Sequence, residues 1–474
     1  MGRTDRSTLV TTGNTSSRTQ ARLLTVILSY DDLLADVAQT VRLFPRTSLR
    51  IGRAEEGVAA VSDGEDRLAL ADGRTSASHA TIRSEPTFSV LIDEKSRNGT
   101  FLNGMRLESE RPLSDGDLLE LGHTLLCFRV VDEAQADRVL AGRPCLLGPT
   151  RTHSPEVAAL SAELDRVAPT GQSVLILGET GTGKEVVAQE VHARSGRRGA
   201  LRAIDCGAIP DPLFESTFFG HRRNAFTGAE TRTGELALSD GGTLFLDEVA
   251  NLSPEAQAKL LRVLEERKVT PLGGTESLPL DLRVVAATNR DLYQPGTGFR
   301  ADLLQRVAGY VAKLPPLARR REDLGLLAAH LLRQVGVTRA AIRSAAGRAL
   351  FGGPLPGNIR QLREALRTAA ALAGDGPIEL EHLPPLGPSS GADTRYGDET
   401  RPSESPEPPE LANRQKVTAP GGVPVPDAAS IEQALEAAGG NMVQAARQLG
   451  TSPRQLYRWV ERLQISLERF RGGA

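Results

Sequence analysis

Val174-Leu175-Ile176-Leu177 is an unbroken apolar run, and Gly178-Glu179-Thr180-Gly181-Thr182-Gly183-Lys184 follows it at once. This junction restricts the fold more than any other stretch of the chain. Four apolar residues without polar alternation read as a strand buried on both faces, and such strands belong to parallel sheets covered by helices. The glycines let backbone N–H groups converge on phosphate oxygens, and a helix opening at the end of the loop adds its dipole. Lys184 then reaches the β- and γ-phosphates of a nucleotide. Glu185 stands where a Ser or Thr usually follows that lysine, which leaves open whether Thr182 or a water supplies the hydroxyl near magnesium. The expected ligands are ATP and Mg2+.

Gly241-Gly242-Thr243-Leu244-Phe245-Leu246-Asp247-Glu248 supplies the second half of this site. An apolar strand ending in two acids places both carboxylates at the strand's C-terminal edge, beside the phosphate loop. Asp247 suits a magnesium ion, and Glu248 suits polarising the attacking water. A third strand, Arg283–Ala287, runs into Thr288-Asn289, and a polar residue there can sense the γ-phosphate. Arg300 and Arg306 lie on a following helical segment, and Arg360 sits in Pro356-Gly357-Asn358-Ile359-Arg360.

The chain has 474 residues, room for about three domains. Its 57 basic and 59 acidic side chains leave a net charge of -2, so any nucleic-acid contact must be local. Cys127, Cys145 and Cys206 are scattered without metal-ligand spacing, which argues for a reducing compartment. No apolar run approaches the ~18 residues of a membrane span. Met1–Gln20 is polar and lacks a signal-peptide core. The expectation is a soluble cytoplasmic protein without a membrane partner.

The boundaries follow from pattern changes. Residues 1–21 read as a disordered tail. Residues 22–132 carry short β-rich segments (Leu23–Leu28, Ser48–Ile51, Ser89–Ile92, Leu125–Val131) separated by Asp72-Gly73, Asn98-Gly99, Asn103-Gly104 and Asp115-Gly116, which suggests a β-sandwich. Residues 150–385 alternate strands and helices, turning helical from Ala301 on, as in a parallel α/β domain with a helical part. Residues 387–428, rich in Pro, Ser, Gly and Glu, read as a flexible linker with a span of about 35 Å. Residues 429–474 return to helical patterns. There Asn441–Leu449 ends at Gly450, and Ser452 caps Pro453–Leu463, as in a helix-turn-helix. Arg454, Gln455, Tyr457 and Arg458 on that last helix suit base edges and phosphates.

Three family resemblances emerge from these residues. From about Pro149 to Pro385 the chain resembles the AAA+ domain of bacterial enhancer-binding proteins, the activators of sigma-54 RNA polymerase. The most specific motif is Phe219-Gly220-His221-Arg222-Arg223-Asn224-Ala225-Phe226-Thr227-Gly228-Ala229, similar to the family's sigma-54-contacting loop. The resemblance implies sigma-54 contact by Phe226, Thr227 and Gly228. It also implies sensor roles for Asn289 and Arg360, and arginine fingers at Arg300 and Arg306 that complete a neighbour's site in a homo-oligomeric ring. The C-terminal segment resembles the Fis-type domain and implies an enhancer-DNA partner. Leu49-Arg50-Ile51-Gly52-Arg53, Thr75-Ser76-Ala77-Ser78-His79 and Asp93–Gly104 resemble the forkhead-associated domain, a β-sandwich that binds phosphothreonine peptides. That resemblance makes Arg53, Ser76 and Asn98 the phosphopeptide-binding residues and His79 a brace. The ligand would be a phosphothreonine protein or the chain's own phosphorylated tail, with Thr8, Thr11, Thr12 and Thr15 as acceptors.

The chain departs from the activator pattern at Asn224, Arg222, Asp205, Leu355 and Ala318-Arg319. These departures motivate the competing expectation, a phosphoprotein-binding adaptor or repressor whose ATPase is uncoupled from sigma-54. The fold expected is multidomain: an N-terminal β-sandwich, a central α/β P-loop AAA+ domain with a helical subdomain, and a C-terminal all-α helix-turn-helix.

Overall fold

A computed structural model describes residues 20–54, 61–62, 66–141, 146–147, 150–223, 230–386, 428–437 and 449. The first part is a sandwich of two six-stranded sheets. One contains β1 (Gln20–Ser29), β2 (Gln39–Leu43), β8 (Thr100–Leu102), β9 (Met105–Arg106), β11 (Leu118–Leu121) and β12 (Thr124–Asp132), in the order β2-β1-β12-β11-β8-β9. The other contains β3 (Thr47–Arg53), β4 (Val61–Ser62), β5 (Arg67–Leu70), β6 (Ala80–Ser84), β7 (Ser89–Asp93) and β10 (Arg111–Leu113), in the order β10-β7-β6-β3-β5-β4. Leu24, Val26, Ile51, Ile82, Leu91 and Phe128 fill the space between the sheets. Asn103 and Gly104, both at positive φ (51° and 80°), turn β8 into β9, the two-residue hairpin geometry that Asn-Gly favours. The first strand begins at Gln20, inside the stretch read as tail, because Ala21 is buried and pairs with Val131 of β12.

The α/β part has a five-stranded parallel sheet made of β13 (Val174–Leu177), β14 (Leu201–Asp205), β15 (Thr243–Asp247), β16 (Arg283–Thr288) and β17 (Tyr310–Lys313), in the order β14-β15-β16-β13-β17. Apolar side chains bury both faces. Val174, Ile176, Val187 and Phe245 pack on one side, and Leu175, Leu244, Leu246 and Leu260 on the other. The strands are therefore continuous in hydrophobicity, as expected of a covered parallel sheet. Their C-terminal ends converge on one edge, and the loops after β13, β15 and β16 meet there.

Three helices follow: Leu324–Gln334, Ser344–Gly352 and Asn358–Ala373. Their core is not theirs alone. Leu324, Leu327, Leu331, Leu350 and Leu362 share one apolar cluster with Ile27, Leu28, Tyr30, Leu33 and Cys127 of the sandwich. The sandwich and the helical subdomain are thus built around a common core, where the sequence suggested separate modules. The helix Ala428–Ala437 carries Ile431, Ala434 and Leu435 as a buried i, i+3, i+4 stripe. Among the described residues, no helix is long and apolar enough to cross a membrane.

Candidate functional site

The helix Lys184–Arg194 starts directly after the glycine loop, with Gly183 at φ 102° as its N-cap. Its first turn therefore presents backbone N–H groups toward the end of β13. The loop, the strand ends and the helical subdomain enclose a cleft of about 670 Å³. Thr180, Gly181, Thr182, Gly183, Lys184 and Glu185 line it, with Asp205, Asp247, Glu248, Asn289, Arg360 and Arg363. Arg320, Leu327, His330, Leu331 and Gln334 form the wall given by the helical subdomain.

Lys184 is 7% exposed, and its Nζ donates to Gly178 O and to Glu248 Oε1, each at 3.2 Å. Glu248 leaves the strand at φ 48°, a left-handed turn that aims its carboxylate back over the phosphate loop. Asn289 joins the two halves: its N–H donates to Glu248 Oε2 at 3.3 Å, and its Nδ2 donates to Thr180 Oγ1 at 3.1 Å. Asp247 accepts from Glu248 N at 3.0 Å. Burial pushes its carboxyl above the usual carboxylate range, and the neighbouring Glu248 adds to this. Such a carboxylate favours a cation beside it. Among the described residues, no group of three or more His, Cys, Asp or Glu side chains could hold a metal ion. A magnesium ion at Asp247 would therefore need phosphate oxygens to complete its shell, as Mg2+ commonly does.

The hydroxyl of Thr182 donates to Glu179 O at 2.7 Å and the residue is 2% exposed, so in this arrangement it is committed to the loop. Glu185 turns its Oε1 toward Gln189 Nε2 at 3.3 Å. Arg300 and Arg306 do not line the cleft of their own chain. Arg300 pairs with Asp302 at 2.7 Å, and Arg306 lies 3.6 Å from Glu265. Asp205 sits beside Asp247 in the parallel register and accepts from Gly207 N at 2.9 Å.

Sequence reasoning passed over Asn358. It is 1% exposed at φ 54°, and its Nδ2 donates to Glu179 Oε2 (3.0 Å) and Thr180 O (3.1 Å) while its Oδ1 accepts from Leu317 N (2.7 Å). The next residue, Ile359, donates its N–H to Gly181 O at 2.9 Å. Asn358 thereby ties the last helix of the subdomain to the phosphate loop. An Asn after Pro-Gly was the available signal, since Asn tolerates left-handed backbone better than most residues.

The sandwich brings its three motifs together by register. Ile51 pairs with Ala80, and Ala80 with Asp93, so the loops after β3, before β6 and after β7 leave from one edge. Arg53 donates its N–H to Ser76 O at 2.9 Å, and its side chain is exposed. Ser76 Oγ accepts from Arg97 N at 3.1 Å, and Asn98 Nδ2 donates to Arg74 O at 2.6 Å. His79 is fully buried between two of the loops. Its Nδ1 accepts from Ser76 N at 3.0 Å, which leaves Nε2 as the protonated nitrogen facing Gly99 O at 3.3 Å. Burial holds its pKa below the ordinary histidine value. Phe226, Thr227, Gly228, Arg454, Gln455, Tyr457 and Arg458 lie outside the described residues.

A parallel sheet with a glycine phosphate loop, an Asp-Glu strand end, an Asn beyond the next strand and a helical subdomain closing the cleft defines an AAA+ P-loop ATPase domain. The models of known families match along the whole arrangement. Residues 150–312 match the sigma-54 interaction domain, 49–122 the FHA domain, 318–397 an AAA+ ATPase lid domain, and 427–463 the Fis family of bacterial regulatory proteins. The chain belongs to the sigma-54-dependent activator family, with an N-terminal forkhead-associated sandwich and a C-terminal Fis-type helix-turn-helix.

Three relatives illustrate the match. Regulatory protein LuxO of Vibrio cholerae is 37% identical over 335 residues, 67% of this chain and 62% of that protein. Transcriptional regulatory protein ZraR of Salmonella typhimurium is 38% identical over 64% of this chain and 66% of its own length. DNA-binding transcriptional activator HyfR of Escherichia coli is 46% identical over 47% of this chain and 34% of its own length. The chain thus spans between about a third and two thirds of these relatives.

Proposed function

We propose that this chain is a cytoplasmic, ATP-hydrolysing transcriptional activator that binds enhancer DNA and remodels sigma-54 RNA polymerase, with phosphothreonine recognition by the sandwich as its input. The observation that carries the proposal is the junction of Lys184, Glu248 and Asn289 in one cleft. In the site as it stands, Glu248 is held by the lysine. A phosphate entering the loop competes for Lys184 and frees Glu248 to polarise water, while Asn289 reports on the γ-position through its links to Thr180 and Glu248. Asp247 would hold magnesium together with phosphate oxygens.

Arg300 and Arg306 sit outside their own cleft, which suits fingers that act on a neighbouring subunit in a ring. Arg306→Ala would then lose hydrolysis but keep ATP binding, and would recover part of it when mixed with a Lys184 variant. Phe226, Thr227 and Gly228 are the proposed sigma-54 contact, and Arg454, Gln455, Tyr457 and Arg458 the DNA-reading residues. Both assignments rest on their motifs. Arg53, Ser76 and Asn98 converge where a phosphothreonine peptide would lie, and the source is a partner protein or this chain's own tail.

Reconstituted sigma-54 transcription from a supercoiled template tests the function. ATP-dependent open-complex formation is expected, with Thr227→Ala keeping hydrolysis but losing transcription. Asn224 and Arg222, at the start of the sigma-54 loop, favour the second reading, an adaptor or repressor with an uncoupled ATPase. Hydrolysis without any open complex would establish that reading instead.

A further inference from the structure

The outer face of the sheet that contains β1, β11 and β12 is covered by the ATPase lid. Tyr30 O accepts from Ile342 N and Leu33 N donates to Ala340 O, both at 2.7 Å, so the segment after β1 is tied by backbone to the lid. Arg348 of the lid forms two 2.8 Å bonds to Glu120, which is 3% exposed, and stacks 4.1 Å from the Phe101 ring centroid. The lid gives up two side chains to let the sandwich in. A Cβ on Gly325 would stand 2.0 Å from Ile27 O, and one on Gly347 would stand 2.6 Å from the Tyr30 ring.

Each end of this interface reaches a binding site. Toward the nucleotide, Leu327 and Leu331 line the cleft and also belong to the cluster containing Ile27 and Tyr30. The sandwich and the cleft thus adjoin one apolar cluster, to which Leu327 and Leu331 belong. Toward the phosphopeptide loops stands Asp72, 3% exposed. Its carboxylate accepts from Arg74 N (2.8 Å) and Thr75 Oγ1 (3.1 Å), and also from His123 N (2.7 Å) and Thr124 Oγ1 (2.9 Å). His123 O in turn accepts from Tyr30 N at 2.7 Å. The loop that carries Ser76 is therefore anchored to the residue that packs on the lid.

We propose that the sandwich is a fixed wall of the ATPase lid, so that the state of the sandwich sets nucleotide affinity and phosphopeptide and nucleotide occupancy are coupled through Asp72, Tyr30 and the lid. The wall holds the lid where its helices close the cleft, so loosening it weakens nucleotide binding. By linkage, a ligand that stabilises the same closed arrangement strengthens the other by the same factor. The coupling, unlike the wall, rests on the phosphothreonine reading of the sandwich.

The test has two arms on the full chain. The first is ADP binding by calorimetry to wild type, Glu120→Ala, Arg348→Ala and the double variant. Roughly fivefold weaker binding is expected for each single variant, with the double no worse than either, because both remove one contact. Tyr30→Leu, which keeps an apolar side chain, supplies an independent sandwich-side variant that should weaken ADP in the same direction. Unchanged ADP affinity in Glu120→Ala and Tyr30→Leu proteins with cooperative melting overturns the wall. The second arm is binding of a phosphothreonine peptide library with and without saturating ADP, and of ADP with and without saturating peptide. An equal shift of the two affinities supports the coupling, and peptide binding indifferent to ADP overturns it. No peptide binding at all overturns both the phosphothreonine reading and the coupling, while the first arm still decides the wall.

Discussion

The two regions of this chain that carry phosphate-binding motifs place their cations in opposite ways. In the ATPase cleft the cation is buried: Lys184 is 7% exposed and held between Gly178 O and Glu248. In the sandwich the cation is exposed, and the buried group is the neutral His79 that sets the loops around Arg53. A buried charge needs a partner waiting for it, and here the partner is Glu248, the proposed water-activating acid. An exposed guanidinium keeps its hydration and needs only a scaffold. The difference teaches that the cleft ties its cation to the acid proposed for catalysis, whereas the sandwich holds an open guanidinium on a fixed scaffold and meets the cleft only through the lid.

Breaking the cleft should have the largest effect. Lys184→Ala is expected to weaken nucleotide binding about a hundredfold, since charge-assisted contacts in a closed site are lost. Glu248→Gln should retain ATP and lose roughly 10²–10⁴-fold in turnover, the range for removal of a general base. Equilibrium binding and steady-state hydrolysis separate the two. A Glu248→Gln enzyme with normal turnover would dissolve the contrast, because the lysine's partner would then be structural.

Breaking the sandwich is expected to be milder. Arg53→Ala should cost about ten- to a hundredfold in phosphopeptide affinity, the value of one hydrogen-bonded charge pair, and leave basal hydrolysis unchanged. Calorimetry with phosphorylated and plain peptides measures it, and equal binding of the two peptides would remove Arg53 from the role.

Asn358→Ala tests the seam between loop and lid. The side chain's hydrogen bonds to Glu179, Thr180, Pro356 and Leu317 disappear, and an alanine must hold a left-handed backbone, so the loss of stability should be about 2 kcal/mol. Denaturant unfolding followed in the ATPase domain reads it. Asn358→Gly, which relieves the backbone but not the bonds, should recover part of the loss.

The smallest effect expected is one of pH. His79 is neutral in the folded sandwich, and burial keeps its pKa below the ordinary 6.5. As pH falls below about 6.5 the unfolded chain takes up a proton that the folded one resists, so stability is lost toward acid through the folded pKa. Protonation at Nδ1 also costs the bond from Ser76 N. Peptide affinity and sandwich melting temperature should therefore both decline between neutral pH and pH 5. A flat profile would show that the loops do not depend on the histidine.

Much of this was legible in local sequence because the structures concerned are local. The strand–loop–helix at Val174–Lys184 forms as read, since an apolar run, glycines and a helix start are adjacent in the chain. The Asn103-Gly104 hairpin is equally local. Asn358 escaped notice because its partners, Glu179 and Thr180, are far away in sequence. The shared core escaped for a related reason, although a trace was present. Leu23–Leu28 is apolar apart from Thr25, where a one-sided sandwich strand would alternate. That run meant burial on both faces, but not what covered the second one.

The sequence by itself determined where the glycine loop lies, which acids follow which strand, and the order of the modules. These are properties of short segments, whose backbone geometry and hydrogen bonding are settled within a few residues. Only the tertiary structure decided that the sandwich and the lid share one core, and that Glu120 pairs with Arg348 and Glu248 with Lys184. Hydrophobic burial is non-directional, so an apolar strand face carries no address for its partner. The partner is selected by shape, here by the two lid positions where glycine makes room for Ile27 and Tyr30.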